Sequence, residues 1–278
     1  YDESDLDEAE NIVTGDSKHK ETAAGRFSLS WLAGDALSVD FAYQYLDNAS
    51  VDFNTLQGAS LTHPTLPSLD ASDRKGIQFT NAEGDATYQR VSLQVAWDLD
   101  SHRIDWLTGW SDVDSTVAAE NLNSEGNQDP LEQQQQILAD DFDAISQELR
   151  FSNTDGEVWE YMFGLYYSKE EGDFTRSDFR IGNGPDRDRI IVTPFENEYM
   201  AAFTHNIVHL SDALTAQLGL RYQTRDATLE SDIFAGWHGL FGAPEGTLFA
   251  SLIPEEFQER DDEALTGAVS LLYTFDEP

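Results

Sequence analysis

The feature of this chain that most constrains its fold is an alternation of apolar and polar residues that recurs along most of its length. The first clear run, RFSLSWL, begins at Arg26 and sets Phe27, Leu29 and Trp31 on one side with serines on the other. A period of two is the period of a β-strand, in which successive side chains point to opposite faces of the sheet. The alternation therefore predicts an all-β chain whose strands have one apolar and one polar face.

The alternating runs predict about nine strands. Eight of them form four antiparallel hairpins, whose turns are at Gly34-Asp35, Asp98 to Ser101, Thr154 to Glu157 and Ser211-Asp212. Gly, Asp, Asn and Ser favour tight turns between two alternating runs, because they tolerate or stabilise turn conformations. The run LTGAVSLLYTF, which begins at Leu265, supplies the ninth strand.

The connections between the hairpins differ from the turns within them. They are long and rich in Asp, Asn, Gly, Pro and Ser, and they cover residues 48 to 85, 117 to 140, 172 to 196 and 230 to 263. Loops of this length are uncommon in compact soluble domains. Short periplasmic turns at one end and long extracellular loops at the other are typical of bacterial outer-membrane barrels. The asymmetry predicts a segment of an antiparallel transmembrane β-barrel.

Aromatic residues give an independent indication of which face is outside. Trp31, Trp97, Trp159 and Phe275 each lie within about four residues of a short turn, where membrane barrels carry an interfacial girdle of aromatic rings. Two other interpretations stay open. In a soluble, secreted antiparallel β-sheet protein, such as a carbohydrate-binding protein, the same rings would pack as a dry core. A passive porin would have a similar barrel wall and no plug.

Composition excludes several classes of function. The sequence has 16 Lys and Arg against 53 Asp and Glu, and a formal net charge of -37. This charge would repel phosphates, so no nucleic acid is expected as a partner. The absence of cysteine excludes disulfides and thiolate metal sites. No run approaches the roughly 18 consecutive apolar residues of a membrane helix, so any passage through a membrane must be by strands.

Two stretches carry a resemblance to a known family. SQELRFS, a short turn and VWEYMFGLYYSKEE, within residues 146 to 171, resemble a hairpin common in the barrels of TonB-dependent outer-membrane receptors. YMAAFTHNIVHLSDALTAQLGLRYQTRD, residues 199 to 226, is similar to the strand, turn and strand that carry the family's Gly-Leu-Arg-Tyr signature, here Gly219 to Tyr222. The resemblance extends from about Glu21 to Pro278.

The resemblance implies a 22-stranded barrel around a globular plug, preceded by a segment that contacts TonB. The plug, the TonB-contacting box and the final strands are not recognisable, so residues 1–278 are expected to be a partial barrel domain without them. Nine strands cannot close such a barrel and would leave two open sheet edges. The implied location is the bacterial outer membrane. The implied partners are outer-membrane lipid and, through the missing N-terminal region, the TonB complex.

The family implies transport rather than catalysis, namely energised uptake of a scarce nutrient that is most commonly a ferric siderophore. No catalytic residue, cofactor or metal site is predicted, and the sequence has no Gly-x-Ser-x-Gly motif, phosphate loop or dinucleotide fingerprint. His205 and His209 are four residues apart, but on a strand they would lie at different heights and form no zinc site. Acidic runs such as residues 140 to 143 are interpreted as solvated loop surface.

The predicted loop from residue 230 to 263 carries an aromatic candidate for ligand binding. It contains the sequence FAGWHGLFG, in which Trp237 and His238 would stack on a ligand ring or a sugar. Phe234 and Phe241 are further candidates for the same stacking. The alternative is that these side chains fold the loop on itself.

The predicted loop from residue 172 to 196 carries a cationic candidate for ligand binding. Its four arginines are Arg176, Arg180, Arg187 and Arg189. Their planar guanidinium groups would grip an anionic siderophore, with Arg187 and Arg189 as the principal candidates. Aspartates lie among the arginines, and internal ion pairs are the alternative, with Asp178, Asp186 and Asp188.

Overall fold

The computed structural model describes residues 2–53, 71–73, 75–76, 81–120, 132–182 and 187–275. Two short 3-10 helices lie at Ala71–Asp73 and Glu255–Phe257. The strands are β1 (Asp2–Glu10), β2 (Ser17–Ala33), β3 (Leu37–Asp52), β4 (Ala82–Leu99), β5 (His102–Glu120), β6 (Glu132–Asn153), β7 (Trp159–Gly182), β8 (Arg187–Ser211), β9 (Leu214–Leu229), β10 (Asp232–Leu240), β11 (Leu248–Ser251) and β12 (Glu259–Tyr273). No helix in the described part of the chain is long and apolar enough to cross a membrane.

All nine predicted strands are present, as β2 to β9 and β12. The four predicted turns join the expected pairs of strands. Gly34 in the first turn has a φ of +73°, and Asp100 in the second has a φ of +43°. Positive φ angles favour glycine, which has no Cβ, and Asp tolerates them better than most other residues. Three strands that the alternation does not predict, β1, β10 and β11, are added to these nine.

The connections at the long-loop end are shorter than predicted. Most of the predicted loop from residue 172 to 196 is strand, because β7 continues to Gly182 and β8 begins at Arg187. These two strands have 24 and 25 residues, more than twice the roughly 9–11 that a strand needs to cross a bilayer. The hydrophobic alternation weakens beyond the part of each strand that is long enough to cross the bilayer. Backbone pairing with the neighbouring strands nevertheless continues there.

The strands form one antiparallel sheet, and β1 to β8 lie side by side in sequence order. The long strand β8 has two partners on its far side. Its residues Phe195 to Ser211 pair with β9, which pairs with β12, and its residues Arg187 to Val192 pair with β10, which pairs with β11. Within the described residues, β1 pairs with β2 alone and β12 with β9 alone, so the sheet does not close on itself.

The register gives the sheet two chemically distinct faces. The polar face is the one on which Arg26, Gln44, Arg90, Ser111 and Ala144 lie in one row across five strands. The apolar face is the opposite one, which carries Trp31 and Trp159. Alternate residues of every strand belong to alternate faces.

The apolar face packs against no second sheet in the described part of the chain. Trp31 is 56% exposed and Phe275 is 80% exposed, and Trp97 and Trp159 are about half exposed. The buried apolar residues described are few and mostly alanines, such as Ala96 and Ala201. A soluble sandwich would bury this face as its core. The exposure therefore favours a barrel wall whose aromatic rings point outward.

Candidate functional site

The polar face carries a hydrogen-bonded cluster at the long-loop end, centred on Asp178. This aspartate is 3% exposed. Its Oδ1 accepts hydrogen bonds from Gln136 Nε2 at 2.9 Å and from Arg176 Nε at 3.1 Å, and its Oδ2 accepts one from Arg189 Nε at 2.7 Å. Gln136, Asp178 and Arg189 lie opposite one another on β6, β7 and β8. Strand pairing therefore assembles the cluster.

The two guanidinium groups determine the charge of this cluster. Burial raises the pKa of Asp178, but hydrogen bonds from Gln136, Arg189 and Arg176 outweigh burial and hold the pKa below its ordinary value of 3.8. Asp178 is therefore ionised at neutral pH. Two arginines share one carboxylate, so these four residues together carry one net positive charge. Both arginine side chains are partly exposed, which leaves them accessible to an anion.

The structure describes the side chains of two of the four arginine candidates. The predicted internal ion pairs are confirmed for Arg176 and Arg189, which lie on strands rather than in a loop. Asp188 is buried on β8. The side chains of Arg180 and Arg187 and the whole of Asp186 lie outside the described residues.

An aromatic wall lies beside the arginine cluster on the polar face. The Phe174 and Phe195 rings are stacked, with centroids 4.9 Å apart and an interplanar angle of 15°. The Phe142 centroid is 6.3 Å from that of Phe195. Gly172 lies between Phe142 and Phe195 in the register, and a Cβ there would overlap the carbonyl oxygen of Asp141. The absence of a side chain at this position lets the two rings meet across β7.

The signature arginine, Arg221, lies in a second cluster nearer the short-turn end. Its Nη2 donates to Tyr199 Oη at 3.0 Å, and its Nε donates to Gln223 Oε1 at 3.1 Å. Its Cζ lies 5.5 Å from the centroid of the Phe203 ring. That ring covers Gly164 on β7, where a Cβ would overlap it. The arginine is thus fixed on the polar face by hydrogen bonds and by contact with aromatic rings.

The aromatic candidates lie on the β10 and β11 hairpin. Trp237 and His238 are on β10 rather than in an irregular loop, and Ala235 of β10 pairs with Arg189 of β8. The two candidate sites, far apart in sequence, therefore lie on neighbouring strands. Trp237 is 65% exposed. The side chain of His238 lies outside the described residues.

Sequence reasoning missed Gln136 and the three phenylalanines of the aromatic wall. The signal that finds them is the parity of the strands. Counting back in steps of two from Arg150 reaches Phe142 and Gln136, and counting forward from Gly164 reaches Phe174 and Arg176. The alternation does not indicate that β6 and β7 remain paired as far as Glu132 and Gly182.

Positive charge is concentrated on the polar face. Every described Lys and Arg side chain on β2 to β9 and on β12 lies on this face, except Lys169. No group of three or more His, Asp or Glu side chains among the described residues is placed to hold a metal ion. The polar face can therefore offer guanidinium and ammonium groups to an anion, although the chain as a whole is strongly acidic.

The two-faced sheet, its sequence-ordered antiparallel strands and its exposed aromatic face define the wall of an up-and-down barrel of the membrane type. A family model described as TonB dependent receptor-like, beta-barrel, matches residues 23–278. The chain therefore belongs to the TonB-dependent receptor family, whose members are bacterial outer-membrane proteins. The barrel fold and the family inferred from the sequence are confirmed.

Solved receptor structures share this fold. The ferric yersiniabactin uptake receptor FyuA from Yersinia pestis has 14% sequence identity and a TM-score of 0.66, over 99% of this chain and 38% of that one. The ferric-catecholate import receptor Fiu from E. coli, in its closed form, has 11% identity and a TM-score of 0.57, over 94% of this chain and 42% of that one. The chain thus spans less than half the length of the receptors it matches. A comparison with curated proteins gives no match.

Proposed function

We propose that this chain is part of the barrel wall of an outer-membrane receptor that takes up a ferric siderophore with energy transmitted by TonB. Family membership supports receptor transport. Two matched structures are described as receptors for ferric yersiniabactin and ferric catecholates, which supports the choice of cargo. In this arrangement the apolar face meets outer-membrane lipid. The polar face meets a plug that, like the TonB-contacting segment, lies outside residues 1–278.

The observation that carries the proposed cargo is the arginine cluster beside the aromatic wall. Arg176 and Arg189 present partly exposed guanidinium groups on the polar face and share the charge of Asp178. Guanidinium groups form strong, charge-assisted hydrogen bonds to carboxylate and other anionic oxygens. Phe174, about two-fifths exposed, offers a ring face beside them. An anionic ferric chelate with planar groups matches both features.

The candidate residues then have distinct roles. Arg189 and Trp237, on neighbouring strands, contact the chelate directly, and Arg187 and His238 remain candidates from the sequence. Asp178 holds Arg176 and Arg189 in position. The chain makes and breaks no bond in this role, in keeping with a family of transport receptors rather than enzymes.

The proposal is tested by uptake of radiolabelled ferric siderophores into cells that express the full-length receptor, with and without TonB. We expect uptake to require TonB. Replacing Arg176 and Arg189 by Gln should weaken binding by about tenfold or more, because charge-assisted hydrogen bonds are lost. Lys169→Gln is the matched control, because it removes a cation from the apolar face of β7. Uptake that is independent of TonB would contradict the proposal. So would uptake that Lys169→Gln reduces as much as the double arginine replacement does.

A further inference from the structure

The apolar face is not uniform, because it carries a groove of about 540 Å³ across β5 to β9. The floor of the groove is Ala202 on β8. Its direct neighbours in the register are the larger Leu165 on β7 and Tyr222 on β9, and Leu149 and Trp106 continue the row on β6 and β5. A small side chain between two large ones leaves a trough with apolar walls. Its exposed lining is suited to a hydrocarbon chain rather than to water.

Carboxylates border the groove at its long-loop end. Glu198 lies opposite Asp226, and Asp226 lies opposite Asp261, all on the apolar face. Glu263 on β12 lies opposite Thr224, which lines the groove. Like charges directly opposite each other destabilise a sheet. A cation placed beside this row would relieve that repulsion.

The described part of the chain offers one cation beside this row, Lys169, which lies opposite Glu198 in the register. Among the described residues, the ion pairs of the apolar face involve Lys169 alone, whose Nζ contacts Glu171 and Glu196. The described cations of the other strands lie on the opposite face. In the described part of the chain, Glu198 and Asp226 therefore have no ion-pair partner.

We propose that the groove holds one acyl chain of an outer-leaflet lipid whose headgroup carries an ammonium group, with that group beside Glu198 and Asp226. This inference rests on the proposed membrane location of the apolar face. Continuity of the groove with that face indicates a lipid occupant, and the acidic row selects the charge of the headgroup. A purely anionic headgroup would be repelled there unless a divalent cation bridged the two.

The test uses the full-length receptor in nanodiscs of equal phosphatidylethanolamine and phosphatidylglycerol, with EDTA present and one of the two lipids brominated at a time. Bromine quenches the fluorescence of nearby tryptophans. The fluorescence of Trp106 is obtained as the difference between the wild type and Trp106→Phe. We expect quenching to be about two to five times stronger with brominated phosphatidylethanolamine, as for exposed ion pairs. The double variant Glu198→Gln and Asp226→Asn should lose this preference. Ala202→Leu should reduce quenching by filling the trough.

Trp159 is the internal control, because it lies at the opposite rim of the apolar face on β7. Its contribution, obtained with Trp159→Phe, should be quenched equally by the two brominated lipids. Equal quenching of Trp106 by the two lipids, or a preference that survives loss of both carboxylates, would overturn the lipid site. So would a preference for phosphatidylglycerol that appears only with Mg²⁺ in place of EDTA. If neither tryptophan were quenched, the proposed membrane location itself would fail.

Discussion

At the scale of single residues, the long-loop end of the polar face depends on one buried carboxylate. Asp178 accepts three hydrogen bonds, and two of them orient Arg176 and Arg189. Without this acceptor, two guanidinium groups and the Gln136 amide would each lose a partner. Asp178 is therefore a positioning residue for the proposed binding site.

The first expectation concerns Asp178→Asn. The substitution removes the charge that two arginines share, so we expect the free energy of unfolding to fall by about 1–3 kcal/mol, the range for hydrogen bonds to charged groups. Urea unfolding of the full-length receptor in detergent measures the change. Asp173→Asn, on the apolar face of the same strand, is the matched control and should change stability little. Equal losses for the two variants would refute the positioning role.

Acidification gives a second readout for the same residue. The pKa of Asp178 in the folded chain is lower than its ordinary value of 3.8. The carboxylate therefore stabilises the fold fully above that value, and this contribution is lost as the pH falls through the lowered pKa. The stability of the wild type should approach that of Asp178→Asn in this acidic window. A constant difference between the two at every pH would contradict this origin of the shift.

The second expectation concerns the glycine beneath the Phe203 ring. A Cβ at Gly164 would overlap this ring, which also contacts Arg221. We expect Gly164→Ala to lower stability by about 1–3 kcal/mol, as overpacking does. Gly219→Ala is the control, because its Cβ would have no atom closer than 3.9 Å. Thermal unfolding in detergent measures the stability of both variants. Equal melting temperatures for the two would contradict this expectation.

At the scale of elements, β9 and β12 belong to the barrel wall, whereas β10 and β11 belong to the proposed binding surface. β9 and β12 pair along the whole of Leu214 to Thr228 and Glu259 to Tyr273. The β10 and β11 hairpin between them pairs instead with the projecting end of β8. The hairpin is thus attached to the wall through β8 and contributes nothing to the pairing of β9 with β12.

The third expectation follows from this separation. Replacing residues 233 to 250 by a short Gly-Ser linker should leave the receptor folded, because the β9 and β12 pairing does not use them. Siderophore binding should fall sharply, because Trp237 and the partner strand of Arg189 are removed. Heat-modifiable migration on a gel reports folding, and equilibrium binding reports the site. A variant that fails to fold would show that the hairpin is part of the wall.

At the scale of the whole molecule, the barrel wall formed by β1 to β9 and β12 has two open edges and an exposed aromatic face. β1 and β12 each have one partner strand in the described part, and neither pairs with the other. Unpaired backbone groups at a sheet edge are not tolerated in bilayer hydrocarbon. These edges are consistent with a wall that other strands complete.

The fourth expectation concerns the 278-residue chain expressed alone. Its exposed apolar face should cause it to aggregate in plain buffer and to gain β structure in detergent. Sedimentation and circular dichroism with and without detergent measure both properties. A soluble monomer with cooperative β structure in buffer would favour a secreted β-sheet protein. A detergent-dependent fold would support the lipid-facing assignment.

Local sequence patterns are sufficient to specify the barrel wall. The alternation of RFSLSWL and similar runs specifies the face of the sheet on which each side chain lies. A strand has a period of two, and one face must contact apolar surroundings. Gly34 and the other turn residues specify where hairpins reverse. These are local rules, so the nine strands, their turns and the outward rings of Trp31 and Trp159 were all predictable.

How far the strands extend, and which side chains meet, depends on pairing between residues that are distant in sequence. Beyond the part of the strands that crosses the bilayer, apolar residues such as Phe142, Phe174 and Phe195 lie on the polar face, so hydrophobic alternation no longer distinguishes strand from loop. Only pairing across β6, β7 and β8 brings Gln136, Asp178 and Arg189 together. Only the pairing of β10 with β8 places Trp237 near Arg189. Contacts between residues distant in sequence depend on the register of the sheet, which local patterns do not contain.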